Sequence, residues 1–339
     1  MIYLLLLVSF VILIKGADIF IEASAKVAKA FKIPELIIGI VIVGFGTSLP
    51  EFAVNMAAIS SGSNDMAVGN VVGSNVFNIL FIVGVIALFK PMVIDDKLAD
   101  FDFPIAIIAA AALPFFALDG RLLHLDNNLT RVDGAILILI FAYFCMETIK
   151  RSLADQKLHD KKMLIYEIAE GTFSIKKHLF NKGRSEKPDM KHLIKDFVLI
   201  AVGLFAVVKG GDMVIEYASV IAENFGMSKH LVGLTIVGVG TSLPELVVCI
   251  LAAKRGQQGI VVGNVVGSNT FNILFTLGIS MFLKPITVDH AMILDSVNVA
   301  VATIIVGSIA ILNKKIGRFA GLAFIVVYAL YMYSVIAGA

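Results

Sequence analysis

The chain has no tryptophan, only two cysteines and eight prolines, and 16% charged residues, where a soluble domain carries about a quarter. The cysteines, Cys145 and Cys249, both lie inside apolar runs. They cannot build the disulfide framework of a small secreted scaffold and read as core residues. A net charge of +2 excludes the strongly basic face of a nucleic-acid binder. With so little charge, disorder is excluded as well, and no sustained heptads point to a coiled coil. What is present is apolar: 58% of the 339 residues are hydrophobic and the mean hydropathy is +0.92. The sequence is that of a polytopic, all-α membrane protein.

A helix needs about 20 apolar residues to cross the hydrocarbon. By that measure ten transmembrane helices are expected, near 3–22, 35–58, 67–89, 102–118, 132–149, 196–217, 231–252, 259–283, 291–312 and 319–337. The first lacks the positive flank of a secretory signal and its pattern recurs later in the chain, so it reads as a span. Lys and Arg cluster after spans 1, 3, 5, 7 and 9 (Lys26, Lys29, Lys90, Lys97, Lys150, Arg151, Lys254, Arg255, Lys314, Lys315 and Arg318). The positive-inside rule therefore expects both termini outside, in a multi-pass protein of a prokaryotic inner membrane. The long connection, 151–195, is rich in Lys and reads as a solvated cytoplasmic linker between two domains, 1–150 and 196–339. A helix within it touching anionic lipid is compatible with this composition.

The strongest feature is an internal repeat. "GFGTSLPEF" at 44–52 returns as "GVGTSLPEL" at 238–246, and "VGNVVGSNVFNILF" at 68–81 as "VGNVVGSNTFNILF" at 262–275. Both are offset by 194 residues, as are Asp18/Asp212, Glu22/Glu216 and Lys90-Pro91/Lys284-Pro285. Each copy holds five spans. Five is odd, so the second copy enters from the opposite side, giving two inverted five-helix repeats. Secondary transporters place a binding site at such an interface.

The repeated motif dictates chemistry. Pro50 lacks an N–H and crowds the carbonyl four residues back, so helix 2 breaks at its GTSLPE motif, and Pro244 breaks helix 7 in the same way. Carbonyls over Gly44–Thr47 and Gly238–Thr241 are then expected to lose helical partners, which a bilayer tolerates only beside protein or a wet cavity. Glu51 and Glu245 follow immediately, near mid-span, where a carboxylate marks an ion path. In the second block Ser74 and Asn78 are four apart and share a helix face, as do Ser268 and Asn272. The G-x-x-x-G pairs Gly69/Gly73 and Gly263/Gly267 suit close helix packing. Carboxylates, amides, hydroxyls and carbonyls are all oxygen donors. Such a set selects hard cations, Ca²⁺ among them, over zinc or copper.

These paired G-x-G-T-S-L-P-E and G-N-V-V-G-S-N blocks resemble the two alpha-repeats of the sodium/calcium exchanger family, in the calcium/cation antiporter superfamily. The resemblance implies Na⁺-driven Ca²⁺ antiport through four adjacent cation sites, with Ca²⁺ and Na⁺ as cargo and no resident cofactor. By motif position, Ca²⁺ would use Glu51 and Glu245 with the carbonyls of Thr47 and Thr241. Na⁺ would use Ser48, Ser74, Ser242 and Ser268 with the carbonyls of Gly44 and Gly238, and Asn78 and Asn272 would close the middle. Some family members carry Asp where this chain has Asn272, and an acid there is associated with K⁺ co-transport. Asn at both positions resembles the potassium-independent branch. An exchange of three Na⁺ for one Ca²⁺, also a family implication, would move net charge and respond to voltage.

The remaining charges have plainer readings. Lys15, Asp18 and Glu22, with Lys209, Asp212 and Glu216, form strips at helical spacing that neutralise themselves near an interface. The family suggests instead that helices 1 and 6 form a moving gate. An intramembrane protease using Asp18 and Asp212 would leave the doubled Glu motif unexplained, so a transporter rather than an enzyme is expected. Asn128-Leu129-Thr130 fits a glycosylation acceptor by pattern alone, and His124, His159, His178, His192, His230 and His290 lie at loops or span ends and read as solvated. Proton/Ca²⁺ antiport on the same scaffold and a passive cation channel are the rival functions.

Overall fold

The structure is a computed structural model that describes residues 1–31, 33, 35–62, 64–122, 128–169, 190–226, 238–288 and 290–338. Within them the chain is helical apart from four two-residue strands. The first half holds α1 (Ile2–Ala30), α2 (Ile38–Thr47), α3 (Leu49–Ser61), α4 (Met66–Phe89) and α5 (Leu98–Leu118). Then come α6 (Arg131–Ala169), α7 (Met190–Asn224), α8 (Leu243–Lys254), α9 (Gln258–Leu283), α10 (His290–Asn313) and α11 (Arg318–Gly338).

Eight helices among the described residues are long and apolar enough to cross a membrane, and nine if α2 and α3 count as one bent span. The expected span 231–252 begins in residues outside the described set; its remainder is the short turn Gly238–Gly240 followed by α8. The expected span 132–149 matches the apolar stretch Arg131–Arg151, while the helix that carries it, α6, runs on to Ala169. Its polar tail has good helix formers and no Gly or Pro after Gly134 to stop it. His124, His178 and His230 lie outside the described residues.

Burial sorts the helices by role. In α9, 94% of the apolar window is buried inside the protein and in α4 78%, against 17% in α11 and 28% in α6. Helices α4 and α9 are therefore central, and they approach each other where Asn269 Nδ2 donates to the carbonyl of Asn75 at 3.5 Å. Leu4, Leu7 and Val11 of α1 and Leu322, Val326 and Leu330 of α11 stand exposed, as a lipid-facing surface requires. Fully buried side chains include Glu51, Asn55, Ser74, Asn78, Ser268 and Asn272. Apolar outside and polar at the centre is the reverse of a soluble domain.

Close backbone contact holds α1 against α7. A Cβ added to Gly203 would stand 2.7 Å from the backbone nitrogen of Phe20, so only glycine fits. Phe271 and Phe275 of α9 pack on Phe141 of α6, with ring centres 5.9 and 5.1 Å away, while Phe77 and Phe81 of α4 pack on Tyr328 of α11 at 5.5 and 5.3 Å.

Two antiparallel ribbons join the halves outside the helices. β1 (Met92–Val93) pairs with β4 (Lys315–Ile316), and β2 (Asn128–Leu129) with β3 (Ile286–Thr287). Asp96 pairs with Lys314 beside the first ribbon and holds the lysine's ammonium above its usual pKa.

Candidate functional site

Both GTSLPE motifs break their helices. Helices α2 and α3 meet at Ser48 with a bend of 43°, and Pro50 sits in the first turn of α3, where a missing N–H costs nothing. Pro244 occupies the same place in α8. α3 is capped by Gly62 at φ 80°, and Gly256, two residues past the end of α8, has φ 76°, a conformation that glycine adopts without a Cβ penalty.

The breaks bring the two glutamates together through reciprocal bonds. Ser48 Oγ donates to Glu245 Oε1 at 3.1 Å, and Ser242 Oγ to Glu51 Oε1 at 3.2 Å. Each serine of one motif thus serves the glutamate of the other, as a two-fold relation produces. Glu51 is fully buried and Glu245 1% exposed, and neither carboxylate has a basic partner among the described residues. The second oxygen of each, Oε2, is buried with no hydrogen bond among the described residues.

Other expected donors surround this pair. Asn78 and Asn272 each lie on a wide π-helical turn, Phe77–Ile82 and Phe271–Leu277, a local unwinding common at functional sites. Both amide atoms of each are buried and without a hydrogen-bond partner among the described residues. So are the hydroxyls of Ser74 and Thr241. Ser268 Oγ donates to the carbonyl of Asn264 at 2.8 Å and lies 3.4 Å from Gly44 O. Thr47 Oγ1 donates to Val43 O at 2.9 Å. Gly238 opens the short turn before the second break.

One expectation needs correction. The carbonyl of Gly44 keeps a backbone partner, since Ser48 N donates to it at 3.3 Å. The π-helical turn Ile38–Gly44 delivers the chain so that one i→i+4 bond survives across the break. Pro50 has no N–H to give the carbonyl four residues back, Gly46, which is met instead by the N–H of Ser48.

Residues that sequence reasoning passed over complete the shell. Asn70 Nδ2 donates to the main-chain carbonyl of Glu51 at 3.1 Å, and Asn264 Nδ2 to that of Glu245 at 3.4 Å. A signal for them was present: each lies one helical turn before Ser74 or Ser268, on the donor face. Asn55, bonded to Asn70 at 3.0 Å and to Ser280 at 3.1 Å, had none, because its counterpart in the repeat is Cys249.

The charge strips on α1 and α7 differ from expectation. Lys209 pairs along its own helix with Asp212 at 3.1 Å, but Asp18 reaches Arg255 at the end of α8 at 2.5 Å, with Glu22 3.7 Å from the same guanidinium. Asp18 and Asp212 are thus held in separate, partly exposed ion pairs, unlike a catalytic dyad.

Among the described residues there is no cluster of three or more His, Cys, Asp or Glu. The buried donors are two carboxylates with hydroxyl, amide and carbonyl oxygens. That set fits a hard cation better than a soft metal.

Comparison with known proteins agrees with this chemistry. The family described as sodium/calcium exchanger protein matches residues 1–149 and 195–337. The putative antiporter CaxA of Alkalimonas amylolytica is 33% identical, over 84% of this chain and 82% of its own. The sodium/calcium exchanger MaX1 of Methanosarcina acetivorans is 30% identical over 97% of both. A solved structure of the sodium-calcium exchanger NCX_Mj, soaked with zero Na⁺ and Ca²⁺, superposes with a TM-score of 0.78 at 25% identity, covering 98% of this chain and 97% of that one.

Proposed function

The chain belongs to the sodium/calcium exchanger family, a family of membrane transporters, and on that premise we propose that it exchanges Na⁺ for Ca²⁺ across a membrane by alternating access. The observation that carries this reading is the reciprocal Ser48–Glu245 and Ser242–Glu51 pairing around buried, unpartnered carboxylate oxygens. Two carboxylates balance one Ca²⁺ or two monovalent ions, so a single anionic pocket takes either class of cargo in turn. Glu51, Glu245 and the carbonyls of Thr47 and Thr241 hold Ca²⁺. Ser48, Ser74, Ser242 and Ser268, with the carbonyls of Gly44 and Gly238, hold Na⁺, and Asn78 and Asn272 lie between. With Asn at both middle positions the exchange is independent of K⁺, and no resident cofactor takes part.

The same reading makes the chain two inverted five-helix repeats, 1–150 and 196–339, joined by a cytoplasmic linker. Ten spans cross a prokaryotic inner membrane with both termini outside. The names of CaxA, MaX1 and NCX_Mj support cation antiport, and the many hydroxyl and carbonyl donors favour Na⁺ over a proton, which needs only a carboxylate.

The test is Ca²⁺ uptake into proteoliposomes loaded with Na⁺, set against a pH gradient and against no gradient. Uptake is expected only with internal Na⁺. Uptake driven by protons and indifferent to Na⁺ assigns proton antiport, and uptake without a counter-ion assigns a channel; either result overturns the proposal.

A further inference from the structure

Asn264, which the exchange reading leaves without a role, stands in an unusual cluster of oxygens. It is fully buried on α9. Its amide can face only one way, because Nδ2 meets the main-chain carbonyl of Glu245 at 3.4 Å and a carbonyl only accepts. The same Nδ2 lies 3.1 Å from Cys249 Sγ. Oδ1 therefore faces the opposite side, 3.2 Å from Thr47 Oγ1 and 3.3 Å from Ser268 Oγ. Both hydroxyls lie 3.4 Å from Gly44 O.

Each hydroxyl has a single proton, and its nearest acceptor is the carbonyl one turn back, Val43 O at 2.9 Å or Asn264 O at 2.8 Å. Lone pairs of Thr47, Ser268, Asn264 and Gly44 are left crowding one another. Separations near these are the edge lengths of an octahedron whose oxygens stand about 2.4 Å from a common cation. The other half is built differently. Asn70 makes the matching bond to the Glu51 carbonyl, but the second contact of its Nδ2 is Asn55 Oδ1 at 3.0 Å. The hydroxyls of Thr241 and Ser74 have no partner.

The geometry points to Asn264 as a further cation-binding residue: its Oδ1 adds a ligand on the Glu245 flank, and Asn70 adds none on the Glu51 flank. This deepens the exchange reading and rests on it. The two halves of the repeat then differ in Na⁺ binding through one amide, held in orientation by the Glu245 carbonyl and Cys249.

The experiment is thermal melting of the purified full-length protein in detergent, titrated separately with Na⁺ (ionic strength balanced by choline) and with Ca²⁺. A bound ion raises the melting temperature with ln(1 + [ion]/Kd), and the concentration at which that rise sets in, taken as the midpoint, reports affinity. N264A should raise the Na⁺ midpoint about tenfold, the loss expected for one metal-supporting group. N70A removes only the bond to the Glu51 carbonyl and should raise it by a smaller factor than N264A, which loses the matching bond and a ligand besides. Should N264A fail to fold, N264S withdraws the amide oxygen and serves in its place. Equal shifts in N264A and N70A would reduce Asn264 to helix packing, and an unmoved Na⁺ midpoint in N264A removes it from the site. Either result overturns the inference and leaves the exchange reading intact. A wild-type protein that ignores Na⁺ overturns both.

Discussion

A buried carboxylate has two oxygens to satisfy, and at both Glu51 and Glu245 the protein satisfies only one, with a serine from the opposite motif. Leaving the other without a donor is costly in an apolar interior, and a helix bundle would shed that cost if Gln served as well. E51Q and E245Q keep the shape and remove the charge. Loss of a charged ligand in a buried site is worth roughly 3 kcal/mol, about a hundredfold. Each variant should elute as wild type from a sizing column and lose Na⁺-dependent Ca²⁺ uptake by that factor or more. Wild-type rates in either would show that the cargo binds elsewhere. The serines give a second comparison. Because the pairing is reciprocal, S48A and S242A should weaken apparent Ca²⁺ affinity alike, each by about tenfold, the weight of a hydrogen bond to a charged group. Loss in one alone would mean that the two glutamates are not equivalent partners.

The elements show which parts of a sequence speak and which stay silent. The break at Ser48, the prolines in the first turns of α3 and α8, and the paired left-handed glycines Gly62 and Gly256 follow from residue types at fixed spacing. So does the central position of the donors on α4 and α9, since spacing by four keeps one face. Asn70 and Asn264 were legible in principle. Asn55 and Ser280 were not: their contact joins residues 225 apart, and neither position repeats in the other half. The ribbons pair two residues each, too few for any alternation to register. The reach of Arg255 to Asp18 depends on how α1 lies against α8, which no local pattern encodes. The α1–α7 contact is testable at this scale. In G203V the new side chain meets the Phe20 backbone, and overpacking of this kind costs about 1–3 kcal/mol. The variant should melt at lower temperature, with a larger loss in transport rate than in Na⁺ or Ca²⁺ midpoint, because the cation donors lie on other helices. An unchanged melting curve would mean that α1 and α7 are not held by this contact.

At the scale of the whole molecule, the proposed exchange is a statement about charge. Glu51 and Glu245 are each bonded to a serine of the other motif, and the ribbons and the contact of α4 with α9 tie the two halves of the chain around them. If three Na⁺ pass for each Ca²⁺, one positive charge moves with the sodium in every cycle. Moving one charge across 100 mV is worth about 2.3 kcal/mol, so that potential should shift the equilibrium Ca²⁺ ratio about fiftyfold. An exchange of two Na⁺ for one Ca²⁺ balances the charge of the two glutamates at each step and moves nothing net. The two cases separate in proteoliposomes whose potential is clamped with K⁺ and valinomycin. With a fixed Na⁺ gradient, an interior-positive potential should drive sodium outward and calcium inward, raising the Ca²⁺ plateau by that factor. The opposite potential should lower it equally. A plateau that ignores voltage would assign two Na⁺ per Ca²⁺, and would mean that cargo charge never exceeds what Glu51 and Glu245 neutralise.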